Sequence, residues 1–172
     1  MKEIIIIAGP NGAGKTSFAN EYLPYEREGL LFLNADEIAR ELLNEGASPA
    51  SIDVAAGREM IHRIDQVAAS GAEFIFETTL ATLIYQRRIR QWQRMDYWVS
   101  LIYLKLPSVE DAIRRVERRV AAGGHGIPEP VIRQRFMRSL DYLERLYKRI
   151  VNDWSVWNSL EGNFEVVEVW DD

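Results

Sequence analysis

A chain of 172 residues with 47% hydrophobic and 10% aromatic residues can build one domain with a sizeable core and is too apolar to stay disordered. Its net charge of −5 argues against general affinity for nucleic acid or an anionic membrane, and the absence of cysteine removes disulfides and thiolate metal sites. Met1-Lys2-Glu3 runs straight into a strand-like segment, too short for a signal peptide, and no apolar stretch reaches bilayer length, so a soluble cytoplasmic protein is expected.

The apolar run Ile4-Ile5-Ile6-Ile7-Ala8 reads as a fully buried parallel strand, Glu3 to Ala8. Gly9-Pro10-Asn11-Gly12-Ala13-Gly14-Lys15-Thr16 follows, and Thr16 to Tyr22 is compatible with a helix that stops near Leu23-Pro24, where proline cannot continue it. Strand, glycine loop and helix in this order match G-x-x-x-x-G-K-[ST], whose backbone N–H groups and helix N-terminus converge on a nucleotide's phosphates. Gly9, Pro10, Asn11, Gly12, Ala13, Gly14, Lys15, Thr16 and Ser17 are therefore the candidate nucleotide-binding residues. Lys15 is expected on the β- and γ-phosphates and the Thr16 hydroxyl on Mg²⁺.

Leu30 to Leu33 reads as a second buried strand, with Asn34-Ala35-Asp36 at its carboxyl end and Asp36 able to cap a helix starting at Glu37. In an open parallel sheet ligands sit beyond the carboxyl ends of the strands, which places Asp36 on the rim of the phosphate loop as a candidate catalytic carboxylate. A helix begins at Ser48-Pro49 and runs through Ile52, Ala56, Met60, Ile64 and Val67 to Ser70-Gly71. The strand Glu73 to Phe76 ends in Glu77-Thr78-Thr79, polar groups that suit either a ligand or a solvated turn. A fourth helix covers Thr82 to Arg94, with Ile84, Ile89 and Trp92 apolar, and Tyr97 to Leu104 reads as another central strand.

Ser108 caps the next helix, with Glu110 and Asp111 favourably placed in its first turn and an apolar stripe of Val109, Ala112, Ile113, Val116 and Val120. Arg119 flanks that stripe, whereas Arg114 and Arg118 point away into solvent. The glycine-rich segment 121–128 then joins a last long helix, Glu129 to Ile150, whose stripe is Ile132, Phe136, Leu140, Leu143, Tyr147 and Ile150, flanked by Arg133 and Arg135. Arginines bracketing a glycine-rich loop suit a lid, about residues 114–138, that closes over a γ-phosphate. Trp154, Trp157 and Asn158 precede a final strand, Phe164 to Val169, and no repeat or second domain is visible.

This order predicts a single three-layer α/β sandwich with a mainly parallel sheet, a P-loop NTPase or kinase fold with a helical lid. The Asn-Lys-x-Asp base reader of a GTP switch and the Leu-Ser-Gly-Gly signature of a transporter ATPase are both missing. A small kinase fits: a carboxylate takes the proton of an acceptor hydroxyl and lid arginines neutralise the γ-phosphoryl.

Gly9 to Thr16, Phe32-Leu33-Asn34-Ala35-Asp36-Glu37, Phe76-Glu77-Thr78-Thr79-Leu80, Arg119-Val120 with Gly123 to Pro128, and Ile132 to Phe136 together resemble the zeta-toxin family of P-loop kinases, from about Lys2 to Asn158. The resemblance implies ATP- and Mg²⁺-dependent phosphorylation of a sugar hydroxyl of a UDP-activated amino sugar, typically UDP-N-acetylglucosamine, and an antitoxin protein as partner. It implies Lys15 as phosphate-binding lysine, Thr16 as metal ligand, Asp36 as base, Glu77 and Thr79 as acceptor contacts with Thr78 beside them, and Arg119 and Arg135 as lid arginines. Periodicity puts Arg133 nearer the apolar stripe, so both Arg133 and Arg135 stay candidates. A kinase for another small hydroxyl compound or a polynucleotide end, and a non-catalytic ATP-binding interaction protein, are the alternatives.

Overall fold

The structure is a computed structural model that describes residues 1–23, 29–161 and 163–171. Among these, six strands form one sheet: β1 (Lys2–Ala8), β2 (Leu31–Leu33), β3 (Phe74–Thr78), β4 (Tyr97–Lys105), β5 (Asp153–Leu160) and β6 (Asn163–Val169), ordered β2-β3-β1-β4-β5-β6. The first five run parallel and β6 returns antiparallel along the edge. Six α-helices accompany them: α1 (Lys15–Tyr22), α2 (Ala35–Asn44), α3 (Ile52–Ser70), α4 (Ile84–Arg94), α5 (Val109–Ala121) and α6 (Glu129–Arg145).

The run in β1 is continuous rather than alternating because both faces of the sheet are covered. Ile4, Ile6 and Ala8 join a core with Met60 and Ile64 of α3, Ile89 and Trp92 of α4 and Leu143 of α6. Ile5 and Ile7 face the other way, onto Phe18 of α1, Ala112 and Val116 of α5, and Ile132 and Phe136 of α6. The result is the expected three-layer α/β sandwich with a mainly parallel sheet. β1 sits between β3 and β4, neither its neighbour in sequence, so the crevice beyond its carboxyl end is the topological switch point where such sheets take ligands.

Several local expectations are corrected. Trp154, Trp157 and Asn158 belong to a strand, β5, paired with β4 from Ser100↔Asp153 to Lys105↔Asn158. β5 is only partly covered, so it lacks the continuous apolar run that marks β1 and β4. The last helix ends at Arg145 instead of Ile150: Leu146 leaves helical geometry (φ −128°, ψ −64°) and a 3-10 turn, Tyr147–Arg149, redirects the chain into β5. Tyr147 stays fully buried, so the stripe continues past the break and periodicity could not mark it. Pro49–Ser51 is likewise a 3-10 turn ahead of α3. α4 starts at Ile84, which is 41% exposed, and Tyr85 takes the buried place. α1 does stop at Tyr22, while Pro24 lies outside the described residues. No described helix is long and apolar enough to cross a membrane.

Candidate active site

The glycine loop leaves β1 flush against β4: a Cβ on Gly9 (φ +151°) would lie 2.5 Å from the Leu104 carbonyl oxygen. Gly12 (φ +83°) and Gly14 (φ +80°) adopt left-handed geometry that other residues reach only with strain. Gly14 is the N-cap of α1 and supplies no side-chain cap, so the first N–H groups of that helix remain available to an anion. Lys15 bends back over the loop, its Nζ donating to the carbonyls of Gly9 (3.0 Å) and Pro10 (3.2 Å). Desolvation in the crevice lowers the Lys15 pKa below the usual lysine range, against the pull of the nearby Glu77 and Asp36 carboxylates and with the help of the Arg119 and Arg135 charges.

Thr16 Oγ1 donates to Glu77 Oε2 at 2.9 Å, and Asn34 Nδ2 reaches Thr16 Oγ1 at 3.5 Å. Burial raises the Glu77 pKa above the usual carboxylate value; Lys15 and the Thr16 hydrogen bond oppose the shift, and the Asp36 and Glu37 charges add to it. A raised folded-state pKa means that the folded protein binds this proton more tightly than the unfolded chain, so stability falls as pH rises from the ordinary carboxylate range through the shifted value. Glu77→Gln is expected to remove that loss. Urea unfolding of both proteins across pH 4 to 8 should show the variant gaining on the wild type toward neutral pH.

Asp36 does not cap α2, as the sequence suggested; Asn34 does, its Oδ1 accepting from the N–H groups of Asp36 (2.7 Å) and Glu37 (3.4 Å). A short amide side chain in extended backbone one position before the helix holds the cap, which leaves the Asp36 carboxylate free in the first turn, 60% exposed and 3.7 Å from Arg119 Nη1. Asn34 is buried and was missed as a site residue; its signal was an asparagine at a strand end just before a helix. Thr78 shapes the turn after β3: its carbonyl accepts from Gly9 N–H (3.2 Å) and its hydroxyl from Leu80 N–H (3.1 Å), with Leu80 at φ +60°. Thr79 is half-buried beside it and Ser17 is exposed on α1.

Ser108 caps α5 as expected, its Oγ accepting from Asp111 N–H at 3.2 Å. At the other end of α5, Arg119 donates to the His125 carbonyl (3.3 Å) while Gly124 N–H returns to the Arg119 carbonyl (2.8 Å), closing the glycine segment on itself. His125 Nε2 lies 3.2 Å from Asp53 Oδ1 in the first turn of α3, so the segment reaches across toward the α3 side of the crevice. Arg133 is engaged on the outer face by Glu129 (2.8 Å) and Glu110 (3.0 Å). Arg135 is half-buried and its charge acts on Lys15. The two flanking arginines thus differ in cover, Arg135 half-buried and Arg133 exposed, the reverse of the order that periodicity gives them, because Glu110 and Glu129 hold Arg133 outward. Arg114 pairs with Asp111 and Arg118 with Glu161 (2.6 Å), as solvated charges should. Among the described residues no group of three or more His, Cys, Asp or Glu side chains is gathered for a metal. The hard oxygen donors beside the cradle are Thr16 Oγ1 and the Glu77 carboxylate, which suit Mg²⁺ shared with phosphate oxygens.

Residues 4–146 match the AAA_33 family, described as an AAA domain. An uncharacterized protein of Haemophilus influenzae is 26% identical over 133 residues, covering 77% of this chain and 91% of its own. Among solved structures, the AvrRxo1-ORF1:-ORF2 complex with ATP has a TM-score of 0.79 at 17% identity, covering 98% of this chain and 58% of that one. A structure from the PezAT chromosomal toxin–antitoxin system of Streptococcus pneumoniae has a TM-score of 0.65 at 16% identity, covering 98% and 72%. A gluconokinase from Sinorhizobium meliloti has a TM-score of 0.55 at 17% identity, covering 92% and 82%. The chain thus spans a little over half the length of the AvrRxo1 chain it matches, and it shares its three-layer α/β fold with these structures.

Proposed function

We propose, from the premise that the chain belongs to the AAA_33 family of AAA domains, that it is an ATP-dependent kinase acting on a hydroxyl of a small acceptor. The observation that carries this reading is the geometry at the glycine loop: Lys15 is folded over the Gly9 and Pro10 carbonyls, Thr16 is bonded to Glu77, and Asp36 faces Arg119 at 3.7 Å. The solved structures with this fold support it, since one was determined with ATP and another is a gluconokinase.

In this reading the N–H groups of the loop and of the first turn of α1 bind the phosphates, and Lys15 leaves the Gly9 and Pro10 carbonyls to reach the β- and γ-oxygens. Thr16, with Glu77 behind it, would hold Mg²⁺, which when bound spreads the charge of the phosphate oxygens. Asp36 accepts the acceptor's proton as its oxygen bonds to the γ-phosphorus and the bond from phosphorus to the β–γ bridging oxygen breaks, leaving ADP. Arg119 has to give up Asp36 for the γ-phosphoryl. At 40% and 60% exposure the pair is worth no more than about 1 kcal/mol, so the exchange is easy and frees the carboxylate when it is needed. Arg135 approaches the same phosphoryl group from α6.

For the acceptor we propose a UDP-activated amino sugar of the UDP-N-acetylglucosamine type, on the zeta-toxin resemblance of the segments that carry Asp36, Glu77 and the lid arginines and on the PezAT structure's shared fold. An inhibitory partner protein is proposed on the same ground, because PezAT is a toxin–antitoxin system and AvrRxo1-ORF1 was solved with ORF2. The test is incubation with ATP, Mg²⁺ and UDP-N-acetylglucosamine followed by mass spectrometry: a singly phosphorylated nucleotide sugar is expected. ATP turnover on other hydroxyl compounds alone would remove the acceptor assignment and leave the kinase.

A further inference from the structure

Arg115 was not singled out by any sequence pattern, since it stands well off the apolar stripe of α5, yet it is half-buried and donates directly to the glycine loop. Its Nη1 donates to the Gly12 carbonyl (3.4 Å) and to Ser159 Oγ (3.0 Å), and its Nη2 to the Ser159 carbonyl (2.8 Å). Ser159, 1% exposed near the end of β5, passes the interaction on: its Oγ donates to the Ala13 carbonyl at 2.7 Å. Gly12 leaves room for this, because a Cβ there would lie 3.0 Å from both the Ala112 carbonyl oxygen and Arg115 Cβ. Beside Ser159, Phe164 of β6 closes on Gly14, where a Cβ would meet its ring at 3.4 Å and Ser159 Oγ at 3.9 Å.

We infer that Arg115 and Ser159 are positioning residues of the nucleotide loop, a strut that holds the loop's carbonyl oxygens away from the phosphates, fixes the loop's internal turn and leaves the Gly14 N–H facing them. The inference rests on the nucleotide-binding reading of that loop. In a trans peptide the C=O and the following N–H point in opposite directions, and the described chain has no cis peptide. Fixing the Ala13 carbonyl on Ser159 therefore turns the Gly14 N–H the other way, toward the mouth of the cradle. Fixing the Gly12 carbonyl on Arg115 holds the Ala13 N–H in its turn onto the Pro10 carbonyl (3.1 Å). With Lys15 on Gly9 and Pro10, the carbonyls of Gly9, Pro10, Gly12 and Ala13 all have donors. Oxygens left loose would rotate into a site meant for anions and repel them. The guanidinium also polarises the Ser159 hydroxyl, which strengthens its bond to Ala13. Ordering the loop beforehand removes an entropic penalty from phosphate binding.

The experiment measures the affinity of the full chain for a fluorescent ATP analogue with Mg²⁺, and displacement of that analogue by inorganic tripolyphosphate, which has the phosphates without the base. Ser159→Ala is expected to weaken tripolyphosphate about three- to tenfold and Arg115→Met about ten- to a hundredfold. The double variant should be no worse than Arg115→Met, because the two side chains act as one unit. Melting curves confirm that each variant is folded at the assay temperature, and Arg115→Lys replaces Arg115→Met if the latter does not fold. Wild-type tripolyphosphate affinity in Ser159→Ala and in the Arg115 variant overturns the strut. So does a loss of ATP affinity without a loss for tripolyphosphate, which would mark Arg115 as a contact to the base. A wild-type protein that binds neither ATP nor tripolyphosphate overturns the nucleotide-binding reading itself, and the strut with it.

Discussion

Asp36→Ala is expected to lower turnover by about 10² to 10⁴ while ATP affinity stays near that of the wild type. The carboxylate sits in the first turn of α2, held there by the Asn34 cap, and among the described residues it accepts no hydrogen bond whose loss would disturb the loop. Its ion pair with Arg119 is long and exposed, so breaking it leaves folding nearly unchanged. Steady-state rates at saturating ATP, set beside an independent measurement of ATP binding, separate the two quantities. Equal turnover in wild type and variant would remove Asp36 from the chemistry. A parallel loss of ATP affinity would make it a binding residue instead. Asn34→Ala should act in the same direction more weakly, since it loosens the placement of Asp36 and leaves the carboxylate in place, and a helix cap is worth about 1 kcal/mol.

Arg135→Ala is expected to lower kcat by about 10³ or more with a much smaller change in KM for ATP, because a guanidinium aimed at the transferred phosphoryl works on charge that develops in the transition state. Arg133→Ala should leave kcat near the wild-type value, since that side chain is held by Glu110 and Glu129 on the exposed face. The contrast within one helix turn makes the pair informative. A drop in kcat for Arg133→Ala with none for Arg135→Ala would reverse the assignment, and a change confined to KM in Arg135→Ala would count against charge stabilisation during transfer.

Much of this site is written locally in the chain. The phosphate loop, the polar termini of β2 and β3, and the Ser108 cap each depend on a few consecutive residues, and each stands where the sequence put it. The rest depends on contacts between distant segments. Measured against the whole stripe from Ile132 to Ile150, periodicity puts Arg133 nearer the core than Arg135, yet in the structure Arg133 is exposed and Arg135 half-buried. What separates them is Glu110, on another helix. Arg115 looks like one more solvated arginine until the glycine loop and the end of β5 close on that flank of α5. β5 itself went unread because its cover is partial and its tryptophans alternate with polar residues. Asp36 was placed on the correct rim but given the wrong local role, because both Asn34 and Asp36 are good capping residues and only the backbone, extended at Asn34 (φ −140°, ψ 124°), decides between them.

The central claim is that one rim gathers the cradle, the proton acceptor and the lid arginines around a single phosphoryl group. A crystal structure with ADP, Mg²⁺, aluminium fluoride and UDP-N-acetylglucosamine tests it most directly. The expected result has Lys15, Arg119 and Arg135 donating to the fluoride group and the Asp36 carboxylate within hydrogen-bond distance of an acceptor hydroxyl in line with it. Fluoride bound in the loop with both arginines turned to solvent and Asp36 still paired to Arg119 would contradict it.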